Sequence, residues 1–262
     1  MTSPPAVPDD VQMVCAAWLD LLDSSAPGLV TGLHIRGGLG FGEYVPGVSD
    51  VDMVAVLDHP PSYDEVAALE SAHSELAAMH PQPPLDGFHL TAEDLAKDPD
   101  DCPDLPCALH GWFEPADRYD VTPVGWHELA HHSIAVRGEL PEVWTDRQRL
   151  EDFTRHTLTT EWADIASSLA KFPQESAADD ATWHVLAAAR MHHLLVTGEM
   201  TSKSTAGRWG LAHYDARWHP VIREALRLRD ATSQASEYVD PAARGADVAA
   251  FTAYVVGEAR TS

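Results

Sequence analysis

An α/β domain followed by an all-α domain is the fold class that the sequence predicts, and three observations carry it. Up to Leu90, helical spacing alternates with short runs rich in Val, Leu and Ile. From Pro99 to Pro123 the chain is rich in Pro, Asp and Cys and holds no sustained period, which reads as a long loop. Beyond Trp144 only helical spacing occurs. The expected domains are residues 1–144, a small mixed sheet with helices, and residues 145–262, a helical bundle. A chain of 262 residues suits two domains of roughly 100 to 150 residues each.

The elements follow in order. Asp9 and Asp10 cap a first helix whose apolar face is Val11, Val14, Trp18, Leu21 and Leu22, ended by Pro27-Gly28. Leu29 to Ile35 reads as a strand, Gly37 to Gly47 as a glycine-rich connection, and Val51 to Leu57 as a second strand. Pro60-Pro61 punctuates the chain, Tyr63 to Met79 places Val66, Leu69, His73 and Leu76 on one helical face, and Leu85 to Leu90 is a third strand. In the second half, Phe153, Leu158, Trp162, Ile165 and Leu169 mark one helix. Trp183 to Leu195, Pro220 to Leu228 and Val248 to Val256 mark three more.

Composition narrows the partners. With 17 basic against 41 acidic residues the net charge is −24, a field that repels nucleic acid and anionic lipid and attracts cations, polycationic small molecules included. Cys15, Cys102 and Cys107 are too few and too scattered for a disulfide framework, so reduced thiols are expected. With no basic-then-apolar leader at Met1-Thr2-Ser3-Pro4-Pro5 and no apolar run of membrane-spanning length, a soluble cytoplasmic protein is expected.

The chemistry concentrates between His34 and Leu57. Asp50 and Asp52 lie two apart at a strand start, so a period of two puts both carboxylates on one face, where hard oxygen ligands suit Mg²⁺. An isolated Asp-x-Asp is more often a cap plus a solvated side chain. Here it follows Gly37-Gly38 at the end of a strand, where backbone N–H groups can approach phosphates.

A Gly-rich turn between two strands followed by Ser49-Asp50-Val51-Asp52 resembles the nucleotidyltransferase superfamily built on the polymerase-β-like palm. The stretch from Arg190 through the T-G-x-x-x-x-K segment ending at Lys203, and on to Leu228, is similar to the C-terminal helical domain of the aminoglycoside nucleotidyltransferases that adenylylate streptomycin and spectinomycin. The resemblance covers nearly the whole chain. It implies Mg²⁺-dependent transfer of AMP from ATP to a hydroxyl of a cationic antibiotic. It implies Asp50 and Asp52 at the metal, Asp86 as catalytic base, and Gly37, Gly38, Ser49, Arg190 and Lys203 at the nucleotide. Trp112, Asp180 and Trp183 are implied at the antibiotic, Trp183 through its place three residues after Asp180. Where the family has Gly-Ser after the first strand this chain has Gly37-Gly38 preceded by Arg36, so either Arg36 meets the phosphates instead, the nucleotide preference differs, or transferase activity is weak.

Two other classes compete. A relative that has lost its grip on the triphosphate would bind a cationic ligand without transfer. His127-Glu128-Leu129-Ala130-His131 matches the H-E-x-x-H pattern of zinc hydrolases, in which two imidazoles on one helical face hold the metal and Glu is the base. It needs a third ligand, and Glu151 and Glu161 lie in no second motif. The flanking Pro123-Val124-Gly125-Trp126 and Ile134 to Gly138 resemble the same transferase family's inter-domain segment, a structural role. His192 and Trp209 read as packing.

Overall fold

The computed structural model describes residues 6–173 and 178–261, with the side chains of residues 178–180 left outside the description. Two compact units divide the chain at Asp146 and Arg147.

In the first unit, α1 (Asp9–Ser25) precedes β1 (Val30–Ile35), a four-residue helix α2 (Gly37–Gly40), and β2 (Val51–Leu57). Then come α3 (Tyr63–Met79) and β3 (Leu85–Thr91). Ser62 and Glu65 close a capping box that sets the start of α3. Because β2 and β3 run parallel, α3 is the crossover between them, whereas β1 runs antiparallel to β2. Alternation divides the buried residues of β2 between two cores. Met53, Ala55 and Leu57 join α1 and α3 around Trp18 and Leu69, while Val54 and Val56 join Phe88, Leu90 and Trp126 on the opposite face.

The stretch from Pro99 to Pro123, expected to be one long loop, holds a hairpin, with further elements before and after it. A short helix α4 (Ala92–Leu95) is followed by the hairpin β4 (Leu105–Leu109) and β5 (Trp112–Asp117), then by α5 (Pro123–His132) and β6 (Ile134–Arg137). The sheet order is β5-β4-β3-β2-β1-β6, so Pro123 to Gly138 is no connector between domains: α5 covers one face of the sheet and β6 pairs with β1 at its edge. Pro106 and Pro115 interrupt the two hairpin strands, and β5 is an edge strand with an exposed, acidic surface, which removes the alternation that would announce it.

The second unit is helical throughout its described residues: α6 (Arg147–Thr159), α7 (Glu161–Lys171), α8 (Ala178–Thr197), α9 (Lys203–His213), α10 (His219–Arg229) and α11 (Pro241–Ala259). The single helix expected from Phe153 to Leu169 is broken at Thr160, where the Thr159 and Thr160 hydroxyls donate to the carbonyls of Arg155 and His156 at 2.7 and 2.6 Å. Helix α9 was not expected, since Gly207 and Gly210 weaken its pattern. A Cβ on Gly207 would come 2.7 Å from Leu186 and 2.9 Å from Leu226, so glycine allows α9 to lie against α8 and α10. The three cysteines are free and buried. Among the described residues no helix is long and apolar enough to cross a membrane.

The fully buried Glu224 of α10 fastens the chain that follows it. Its carboxylate accepts from Arg227 at 2.9 and 2.8 Å, from the Ser236 hydroxyl at 2.8 Å and from the Glu237 amide at 3.1 Å. Arg227 leads these donors in holding the carboxyl down to about 2 against the cost of burial. From an ordinary 4.5 to about 2 this is worth about 3 kcal/mol, present above pH 4.5 and lost as pH falls through 2. Glu224→Gln should destabilise the helical unit by about 2 to 3 kcal/mol at pH 7, with the gap to wild type narrowing at pH 3. Urea melts at the two pH values check this, and a gap independent of pH contradicts it.

Candidate active site

The parallel pairing of β2 and β3 brings the carboxylates together. Val51 pairs with Leu85 and Asp52 with Asp86, so each strand opens with an aspartate at its second residue. Alternation sends both side chains to the face of Val54, Val56, Phe88 and Leu90, at the end where the strands begin. Asp50 stands immediately before β2, and its charge raises the pKa of both Asp52 and Asp86. The buried Ser49 sets this approach: its hydroxyl oxygen accepts from the Val45 amide at 3.1 Å, and its own amide donates to the Val45 carbonyl at 2.9 Å.

Arg36 supplies the positive charge beneath the group. It leaves the end of β1, donates its amide to the Asp52 carbonyl at 2.9 Å, and lays its guanidinium over the Phe88 ring, 5.6 Å from the centroid. The guanidinium is 3% exposed, ion-paired with Asp120 and with Glu128 at 3.1 Å. Burial opposes its charge, but Asp120, Asp52 and Glu128 outweigh that and keep it protonated. Asp52 shows the converse balance: burial raises its pKa above the carboxylate range, Arg36 pulls it down, and Asp50, Asp120 and Glu128 push it up again. Such a carboxylate is short of positive charge, a deficit that a divalent cation can make good. Gly37, at φ +63°, lies so close that any Cβ there would fall on Asp52 Oδ2. Gly38 begins the turn over the site and accepts the Glu43 amide at 2.8 Å.

Asp86 is buried, and its Oδ1 accepts the His110 backbone amide at 2.9 Å. Its Oδ2 accepts no hydrogen bond among the described residues. Burial is the main cause of its raised pKa, opposed by His110 and reinforced by Asp50. A cleft of about 310 Å³ opens beside it, with walls from the end of α3, the Pro81–Pro84 stretch and the β4–β5 turn. Asp86, His110 and Trp112 all line that cleft, and Trp112 is 77% exposed, so a ring face is free for stacking.

The remaining expected site residues belong to the second unit. Arg190 and Trp183 lie on α8, and Lys203 opens α9 behind the Ser202 cap. Trp183 stacks on Trp162 with centroids 5.0 Å apart and keeps 47% of its surface exposed. The Asp180 side chain lies outside the described residues. His192 is buried, 2.8 Å from the Tyr214 hydroxyl, as packing requires.

Two expectations are corrected by this geometry. Arg36 does not replace the missing Ser at phosphates, because its guanidinium is buried against two carboxylates. Nor does H-E-x-x-H form a zinc site: Glu128 is the partner of Arg36, and His127 Nδ1 donates to the Pro123 carbonyl at 2.9 Å. Among the described residues no three His, Cys, Asp or Glu side chains are gathered to hold a metal ion, which a catalytic zinc needs. Magnesium needs only one or two carboxylates together with substrate phosphates, which Asp50 and Asp52 can provide.

The comparisons with known proteins agree with this architecture. Residues 140–258 match the family model described as the aminoglycoside adenylyltransferase C-terminal domain. Among solved structures, the chain is similar to the spectinomycin adenyltransferase AAD(9) of Enterococcus faecialis, determined with ATP and spectinomycin. The match has a TM-score of 0.69 at 13% identity and covers 95% of this chain and 98% of that one. No curated protein matches the sequence. The fold is thus that of a two-part nucleotidyltransferase. The helical region narrows the likeness further: residues 140–258 carry the match to the aminoglycoside adenylyltransferase C-terminal domain.

The buried ion pairs make one prediction. Arg36→Ala leaves Asp120 and Glu128 without their cation and should destabilise the first unit by about 3 to 5 kcal/mol. Denaturant melts check this. Unchanged stability together with a raised KM for ATP would return Arg36 to the phosphates.

Proposed function

We propose that the protein transfers AMP from ATP to a hydroxyl of a cationic aminoglycoside or aminocyclitol and releases pyrophosphate, in the cytoplasm where its donor is made. The observation that carries this reading is the register of Asp52 with Asp86 on one sheet face, with Asp50 beside them. In the reaction the acceptor oxygen bonds to the α-phosphorus, the bond from that phosphorus to the bridging oxygen breaks, and the acceptor proton leaves for a base. Asp86 Oδ2 is that base: it is buried, accepts no hydrogen bond among the described residues, and burial raises its pKa from the ordinary aspartate value. Asp50 and Asp52 would hold Mg²⁺, which when bound spreads the charge developing on the phosphates.

Gly37, Gly38 and Ser49 shape the turn at the nucleotide, and Arg190 and Lys203 are the cations assigned to the leaving pyrophosphate. Trp112 offers its exposed face to the acceptor, with Asp180 and Trp183 as its further contacts. The strongly acidic chain, net −24, favours a polycationic acceptor over an anionic one.

Pyrophosphate release with ATP, Mg²⁺ and a panel of aminoglycosides tests the reading. Asp50→Asn or Asp52→Asn should abolish release in a folded protein. Asp86→Asn should bind ATP as wild type does and turn over about 10² to 10⁴ times more slowly. Acceptor binding without any release by the wild type would identify a binding protein instead. Wild-type turnover in folded Asp52→Asn would remove the metal assignment.

A further inference from the structure

We infer that His110 is a positioning residue for the base, holding the Asp86 carboxylate from two sides so that Oδ2 faces the acceptor; this rests on the reading of Asp86 given above. His110 and Gly111 form the two-residue turn between β4 and β5, with φ +49° and +81°. Left-handed backbone at a non-glycine residue is uncommon, and a turn alone would favour Asn or Gly there. The backbone of His110 donates to Asp86 Oδ1 at 2.9 Å, which fixes one oxygen, while its Nδ1 stands 3.3 Å from Oδ2. The imidazole is otherwise exposed, at 66%, and lines the 310 Å³ cleft beside Asp86 and Trp112. It thus stands at ion-pair distance from the buried oxygen that takes the proton, without closing a hydrogen bond to it.

The side-chain contribution separates cleanly from the backbone one, since every substitution at 110 keeps the amide donor. Asn places an amide nitrogen close to where Nδ1 stands and tolerates the turn; Gly suits the turn best and has no donor. His110→Gly should lower kcat by about tenfold with KM for ATP unchanged, and His110→Asn should recover most of the loss. A role in the turn alone predicts the reverse, with Gly as active as wild type.

Steady-state kinetics of pyrophosphate release by wild type, His110→Gly, His110→Asn and Asp86→Asn, with thermal melts of each, decide it. Loss in Gly with recovery in Asn supports the inference. If Asp86→Asn is inactive while His110→Gly keeps wild-type kcat, His110 has no positioning role and the base assignment stands. If folded Asp86→Asn keeps wild-type kcat, the base assignment falls and the inference falls with it. A His110→Gly protein that melts early is judged on His110→Ala, which lacks the same donor, and wild-type kcat in that variant also overturns the inference.

Discussion

One buried guanidinium sets the conditions for the carboxylates. Arg36 sits where β1 ends, beside the strand that carries Asp52, and reaches the Phe88 ring on the strand that carries Asp86; it is closed off from water by Phe88, Asp120 and Glu128. Removing a charge from water costs several kcal/mol, and the pairs around Arg36 are what make its burial tolerable. Two of its partners come from outside the strands, Asp120 from the segment before α5 and Glu128 from α5 itself. The same ion pairs that neutralise Arg36 therefore dock α5 on the sheet. They also set the balance at Asp52: burial raises its pKa, Arg36 offsets part of that, and Asp50, Asp120 and Glu128 push it up again. Gly37 completes the constraint, because the carboxylate of Asp52 occupies the space that any side chain at 37 would take.

The division of labour proposed for the aspartates rests on their surroundings more than on their chemistry, which is identical. Asp52 is engaged by several charges at once, whereas Asp86 meets a backbone amide, a nearby imidazole and the acidic Asp50. One environment suits a metal ligand and the other a group that takes a proton. The 310 Å³ cleft lies on the Asp86 side, where Trp112 offers a ring to the solvent.

Much of this was legible in the residues. β2 and α3 run over the residues expected of them, since Val51 to Leu57 and Tyr63 to Met79 have undiluted periods bounded by Pro and Ser signals. Asp50 and Asp52 could be picked out because a carboxylate two residues from another at a strand start is a local pattern; Asp86, at the start of the next strand, was found through the resemblance, which asks for a third carboxylate there. Pairs made across the fold are not local. Arg36 and Glu128 are 92 residues apart, so the first read as a phosphate ligand and the second as a zinc-site base, and neither reading could see the other residue. His110 escaped for a different reason: both strands of its hairpin hold proline and one is an exposed edge, and without the hairpin the His-Gly pair has no turn to mark. Helix α9 was lost to the glycines that let it pack.

The most direct test of the account is the fate of the α-phosphate. Incubated with Mg²⁺, a streptomycin- or spectinomycin-class acceptor and ATP radiolabelled at the α position, the protein should move the label onto the acceptor as a single adenylyl group. Label confined to ATP and free AMP across the whole acceptor panel, with the acceptor bound but unmodified, would contradict it.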